Sequence, residues 1–307
     1  MPHNSAIPVS GSTMKGRENS YDSMACYDVQ ELLFDDCAFQ TIETSYVITM
    51  ALSERQSSFM RELQKHRPTR RTFVVTNTGF KSCSKEQWVK HTYDDLWHVN
   101  RFVFEHFQQI AGPHEKCVMI LEDDVVFMPC FRENSPKVDM FMRKSLYADG
   151  YNLGCVPVFV NPVAQENYHH HLRIAACAHA MIYTRDACSK MLQNCNRGNC
   201  SVGLHDGFIH PKLKIYTFRQ PLATQPFDVD TENMKEWIWG GKYTIRALQW
   251  YGECTDSNMF VVCHNQIRYG GLGGIGVILV VCILVLIITL TCIGTYLAKR
   301  AQHGSAL

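Results

Sequence analysis

The sequence predicts an α/β domain built on a mostly parallel sheet flanked by helices, followed by a C-terminal transmembrane helix. Three observations predict it. Short apolar runs at 45–50, 72–77 and 118–121 alternate with longer amphipathic stretches, the order of strands joined by crossover helices. The run Val118-Met119-Ile120-Leu121 ends in three consecutive carboxylates, Glu122, Asp123 and Asp124, before the apolar Val125-Val126-Phe127. Leu272 to Ala298 is an uncharged stretch rich in Ile, Leu and Val, longer than the roughly 20 residues a helix needs to cross a bilayer.

The elements follow in order. Residues 1–23 are polar and punctuated by Pro, Ser, Gly and Asn, and are expected to form a disordered leader. Residues 24–264 form the globular domain, 265–271 a juxtamembrane linker, 272–298 the membrane span and 299–307 a short tail. Ser45 to Met50 is a strand, and the helix after it runs through Leu63. Thr72 to Asn77 is the second strand of this β-α-β opening and ends in a turn at Thr78-Gly79. Asp94-Asp95 caps a helix whose apolar side carries Leu96, Val99, Phe102, Val103 and Phe107, and Gly112-Pro113 stops it. Asn152 to Val160 and Ala178 to Thr184 read as further strands, and Arg185 to Gln193 as a helix. His169-His170-His171 reads as a solvated loop, because adjacent histidines point in different directions.

Composition narrows the function. With 30 Lys plus Arg against 29 Asp plus Glu, nothing in the net charge attracts nucleic acid, and local charge must do the chemistry. Met1 to about Gln40 holds no apolar run of signal-peptide length, which favours a single-pass C-terminal anchor with the domain in the cytoplasm. Lys299 and Arg300 after the span favour a cytoplasmic tail and a lumenal domain instead, so the second orientation stays open. Of 14 cysteines, Cys282 and Cys292 fall in the span and twelve remain, compatible with disulfides or with buried thiols.

The three carboxylates carry the strongest chemical signal. At the end of a strand buried on both faces, unpaired carboxylates repel one another and lose hydration. A hard divalent cation, Mn²⁺ or Mg²⁺, resolves that conflict, since such ions take oxygen ligands and share them with substrate phosphates. Strand ends of open α/β sheets are where ligands collect. Glu122, Asp123 and Asp124 are therefore the candidate metal ligands, Asp124 foremost.

Several segments, in their order along the chain, resemble the GT-A glycosyltransferases, specifically the lipooligosaccharide and procollagen-type galactosyltransferase family. They are Tyr46-Val47-Ile48-Thr49-Met50 with Glu54-Arg55, Leu96-Trp97-His98 with Phe102, Ile120-Leu121-Glu122-Asp123-Asp124-Val125, His179 to Ala187 with Met191-Leu192, His205-Asp206-Gly207-Phe208-Ile209, and Pro221-Leu222-Ala223-Thr224-Gln225. The resemblance spans Tyr46 to Gln225. It implies a Rossmann-like GT-A fold and transfer of a hexose, galactose or glucose by analogy, from a nucleotide sugar such as a UDP-hexose to a hydroxyl of a glycan, glycoprotein or glycolipid. An inverting single displacement needs one base, for which Asp206 is the candidate. Thr49, Arg55 and Asn77 at strand ends, together with Asp123, are the candidates for holding the nucleotide. Trp237, Trp239 and Trp250 form an aromatic group that either stacks on an acceptor sugar or packs near the bilayer. The competing expectation is a catalytically silent GT-A-like scaffold that binds glycans at a membrane.

Overall fold

A computed structural model describes residues 25–162, 168–195, 212–225, 280–291 and 293. The domain is a three-layer α/β/α arrangement around one nine-stranded sheet. Strand β1 (Tyr27–Leu33) lies at one edge; β2 (Thr44–Met50), α1 (Gln56–His66) and β3 (Arg71–Asn77) form the predicted β-α-β opening. Helix α2 (Thr92–Ile110) leads into β4 (Cys117–Glu122), the acidic strand, and β5 (Val126–Phe127) follows it directly. Then come α3 (Phe131–Lys144), β6 (Gly150–Asn152), β7 (Val156–Pro162), β8 (His169–Ala176), β9 (Ala180–Thr184), α4 (Arg185–Cys195), β10 (Ile215–Phe218) and β11 (Ala223–Thr224).

The spatial order is β1-β3-β2-β4-β9-β6-β10-β8-β7. The nucleus β3-β2-β4 is parallel, with Ile48 of β2 opposite both Val75 of β3 and Glu122 of β4. Beyond it the expected parallel pattern is interrupted: β9 runs antiparallel to both β4 and β6, and β8 antiparallel to β10 and β7. Most strands still share one direction, because each reversed strand is followed by one that restores it. The sheet as a whole is mixed.

The central strands are apolar throughout because both faces are covered. Val47, Met119 and Leu121 point into one core with Phe59 and Leu63 of α1 and Phe131, Val138 and Phe141 of α3. Tyr46, Ile48, Val118 and Ile120 point into the other, with Trp97, Val103 and Phe107 of α2 and Ala187 and Met191 of α4. Period-2 alternation of Cβ directions thus sends neighbouring residues to opposite layers.

Three sequence readings are corrected. The segment 152–160 is two strands, β6 and β7, broken at Leu153 to Cys155. There a Cβ on Gly154 would sit 1.8 Å from the Ala223 carbonyl oxygen, so only glycine permits the approach of β11. The three histidines lie in β8 rather than in a solvated loop: His169 is buried, its Nδ1 2.7 Å from the Tyr151 hydroxyl, and burial holds its imidazole down to about 4. At the start of α2 the two acids divide their work. Asp94 accepts from the backbone N–H groups of Lys90 and His91 in a capping box, whereas Asp95 turns inward to Lys85.

The β1 edge is fixed covalently by a Cys26–Cys83 disulfide across 57 residues. Closing a loop of that size stabilises a fold by about 2–4 kcal/mol in the chain-entropy view. The Cys26→Ser/Cys83→Ser variant is therefore expected to lose that amount in chemical denaturation, and an unchanged midpoint would show the clip to be energetically idle. Cys37, Cys117, Cys130, Cys155, Cys177 and Cys188 of the described domain are buried or half-buried.

Of the predicted span 272–298, residues 280–291 and 293 are described; they are helical, with Val280 to Leu290 exposing apolar side chains. No helix among the described residues is long and apolar enough to cross a membrane.

Candidate functional site

Adjacent parallel strands β2 and β4 end side by side, and both chains turn there. From β2 the chain passes through Ala51 to Arg55 into α1. From β4 it makes a turn at Asp123-Asp124, closed by the Val125 N–H donating to the Glu122 carbonyl at 3.1 Å. This places the predicted acidic residues against the residues that follow β2. Thr49 Oγ1 donates to Asp123 Oδ2 at 2.7 Å, and Ser53 Oγ donates to the same oxygen at 2.6 Å. The guanidinium of Arg55 lies 3.3 Å from Asp124 Oδ2 and 3.8 Å from Asp123 Oδ1, through Nη1 in both cases.

Thr49, Arg55, Asp123 and Asp124 thus converge. Ser53 was missed, although a small hydroxyl residue two positions before Arg55 in a strand-to-helix turn was a readable signal. The site is asymmetric. Asp123 is oriented by two hydroxyls, while Asp124 keeps its Oδ1 buried with no hydrogen-bond partner. Burial pushes the Asp124 carboxyl up to about 6, against the pull of Arg55, with Asp123 adding to the rise.

Glu122 ends β4 half-buried, its backbone N–H bonded to the His179 carbonyl at 2.8 Å. It does not complete a three-ligand set: among the described residues no group of three or more His, Cys, Asp or Glu side chains is placed to hold a metal ion. The expected triad reduces to the Asp123–Asp124 pair. That pair still suits a hard cation, because it offers a buried unpartnered carboxylate oxygen, and such ions commonly take one or two carboxylates and complete their shell from substrate phosphates. His179 is fully buried beside the acidic strand, and burial lowers its imidazole to about 3, so it is neutral.

Asn77 is drawn elsewhere. It is 2% exposed, donates to Asp95 Oδ2 at 3.2 Å, and accepts from Lys85 Nζ at 2.7 Å and from the Gly79 N–H at 2.9 Å. Its side chain braces the turn after β3 through these bonds. Asp206, the predicted base, and Trp237, Trp239 and Trp250 lie outside the described residues.

The closing motif meets the acidic turn directly. Ala223 and Thr224 in β11 pair antiparallel with Phe127 and Val126 in β5, just after Asp124, and the Leu222 N–H donates to the Leu153 carbonyl at 2.7 Å. Residues far apart in sequence are thereby joined just after the acidic turn.

No protein-family model matches the chain, and no curated protein matches it. Among solved structures it is similar to the crystal structure of a glycosyltransferase involved in the glycosylation of the major capsid of PBCV-1, at 8% identity and a TM-score of 0.30, over 52% of this chain and 69% of that one. A likeness that slight says nothing about function. The expected membership of the procollagen-type galactosyltransferase family finds no support in these matches.

Proposed function

We propose that the chain is a metal-dependent GT-A-like glycosyltransferase that moves a hexose from a nucleotide sugar to a hydroxyl acceptor. The observation that carries this reading is the Asp123–Asp124 pair at the end of β4, oriented by Thr49 and Ser53, faced by the Arg55 guanidinium and left with one buried carboxylate oxygen unpartnered. A divalent cation held there, Mn²⁺ or Mg²⁺, would supply Lewis-acid neutralisation of the charge that builds on a departing diphosphate. Thr49 and Ser53 fix the rotamer of Asp123, so the pair is preorganised before any ligand arrives. Arg55 adds a cation matched to phosphate oxygens. Asp206 stands as the proposed base on sequence grounds, in an inverting displacement.

The apolar 272–298 segment is proposed as a membrane anchor, with its described part exposing Val, Ile and Leu. Two observations favour a domain in an oxidising compartment over the cytoplasmic placement: the Cys26–Cys83 disulfide, and Lys299-Arg300 following the span. Finding both thiols free in protein alkylated at the moment of lysis would reverse that placement.

One feature favours a silent glycan-binding scaffold as the second reading, namely that Arg55 already offsets the charge of both carboxylates. Turnover separates the two. The full-length chain in detergent, given a panel of UDP- and GDP-sugars with Mn²⁺ or with EDTA, is expected to hydrolyse or transfer from one donor only when the metal is present. Absence of turnover and of metal-dependent donor binding across the panel would leave the scaffold as the better account.

A further inference from the structure

The Arg55 guanidinium faces both carboxylates of the pair, and its hold there is weak. It reaches the carboxylates through one nitrogen at 3.3 and 3.8 Å, instead of the paired short bonds of a guanidinium–carboxylate fork. Its side chain is 36% exposed, so a path to solvent is open. Its backbone, in contrast, is fixed. The Arg55 N–H lies 3.3 Å from Ser53 Oγ, and its carbonyl accepts from the Ser58 and Phe59 N–H groups at 2.9 and 3.0 Å, opening α1.

The same residue therefore sits at the N-terminus of an eleven-residue helix with no acidic side chain in its first turn and no side-chain cap. The unpaired N–H groups and dipole of such a helix end favour an anion. Two attractions thus compete for one guanidinium: the Asp123–Asp124 pair behind it, and any phosphate arriving at the start of α1.

We propose that Arg55 is an internal counter-ion that keeps the Asp123–Asp124 site poorly receptive to a divalent cation until a nucleoside diphosphate draws the guanidinium away. This rests on the glycosyl-transfer reading and adds to it an order of events: the free site is held by Arg55, and diphosphate and metal enter together. Asp123 stays in place through the exchange, since Thr49 and Ser53 hold it independently of Arg55. The arrangement spares the empty site two uncompensated carboxylates, and it discriminates against loose metal binding without donor. Linkage makes the coupling reciprocal, so the diphosphate tightens the metal by the factor by which the metal tightens the diphosphate.

The test is Mn²⁺ titration of the full-length chain in detergent, read by the electron paramagnetic resonance of free Mn²⁺, with and without UDP. Four proteins are compared: the parent, Arg55→Gln, Arg55→Lys and Asp124→Asn. Without UDP, Arg55→Gln is expected to bind Mn²⁺ about 5- to 10-fold more tightly than the parent, with Arg55→Lys close to the parent; such factors are ordinary for coupled sites. With UDP, the enhancement seen in the parent is expected to shrink several-fold in Arg55→Gln. Asp124→Asn should bind little Mn²⁺ in either state. Equal or weaker Mn²⁺ affinity in Arg55→Gln, while Asp124→Asn abolishes binding, overturns the counter-ion role and leaves the metal site standing. Mn²⁺ binding indifferent to Asp124→Asn overturns the metal site itself and the proposal with it. A melting temperature for each variant no more than a few degrees below the parent's establishes that the folds are comparable.

Discussion

Asp124→Asn is expected to abolish metal-dependent turnover, by about 10³-fold or more, and at the same time to make the protein more stable at neutral pH. The first effect follows if the carboxylate carries the cation that balances a departing diphosphate, since a loss of about 4 kcal/mol of transition-state stabilisation corresponds to that factor. The second follows from burial. The Asp124 carboxyl is pushed up to about 6 in the folded protein, from an ordinary value of 3.8. In that interval the folded state binds more protons than the unfolded one, so stability falls as pH rises through it and stays low above it. Asparagine keeps the shape without the charge, and the variant should exceed the parent by about 1–3 kcal/mol at pH 8. The difference should close as pH drops from about 6 towards the ordinary carboxylate range. Thermal melts of both proteins across pH 4 to 8 measure it. A variant no more stable at pH 8 than the parent would mean that Asp124 is solvated when ionised, and the strained-site account would fail.

Lys85→Met is expected to be the most damaging single change away from the carboxylates, costing about 3–5 kcal/mol. The Lys85 and Asp95 side chains are 1% and 6% exposed and form a direct ion pair. Burial pulls the Lys85 ammonium below its usual range, and the bond to Asp95 opposes that shift. Removing the lysine strands a buried carboxylate that, among the described residues, retains the Asn77 amide and the Phe80 N–H, both at 3.2 Å. Urea titration should show a lower midpoint at constant slope. Adding Asp95→Asn should recover part of the loss, because the stranded charge is then gone. A midpoint unchanged by Lys85→Met would show that water reaches the pair. Since Asn77 is opposite Met50 in the β2–β3 register, loosening this network also loosens the strand end beside Thr49.

The β-α-β opening, α2, the acidic strand and α4 were legible in the sequence because each is an apolar run of clear period, and patterns of that kind depend on neighbours along the chain. Strands β8, β10 and β11 and helix α3 were not. The histidines of β8 look polar in sequence, and His169 is buried because Tyr151, Phe141 and Phe218 pack on it. Helix α3 carries Pro136 in its interior, which argues against a helix when read alone. The sequence reading runs a single strand through Gly154, whereas the backbone of β11 approaches at that residue.

For the site, the sequence alone determined that carboxylates would stand at the end of a doubly buried strand and that Thr49 and Arg55 would lie at a neighbouring strand end. Local composition suffices for that, since strand ends in an α/β sheet share one edge. Only the tertiary structure decided how the acids divide. The β2–β4 register brings Thr49 and Ser53 onto Asp123 and Arg55 onto Asp124 and leaves Glu122 out of the pair, while the turn after β3 engages Asn77 with Lys85 and Asp95. The contacts to Asp123 and Asp124 depend on angstrom-scale placement between segments more than sixty residues apart, and no periodicity along a single chain encodes it.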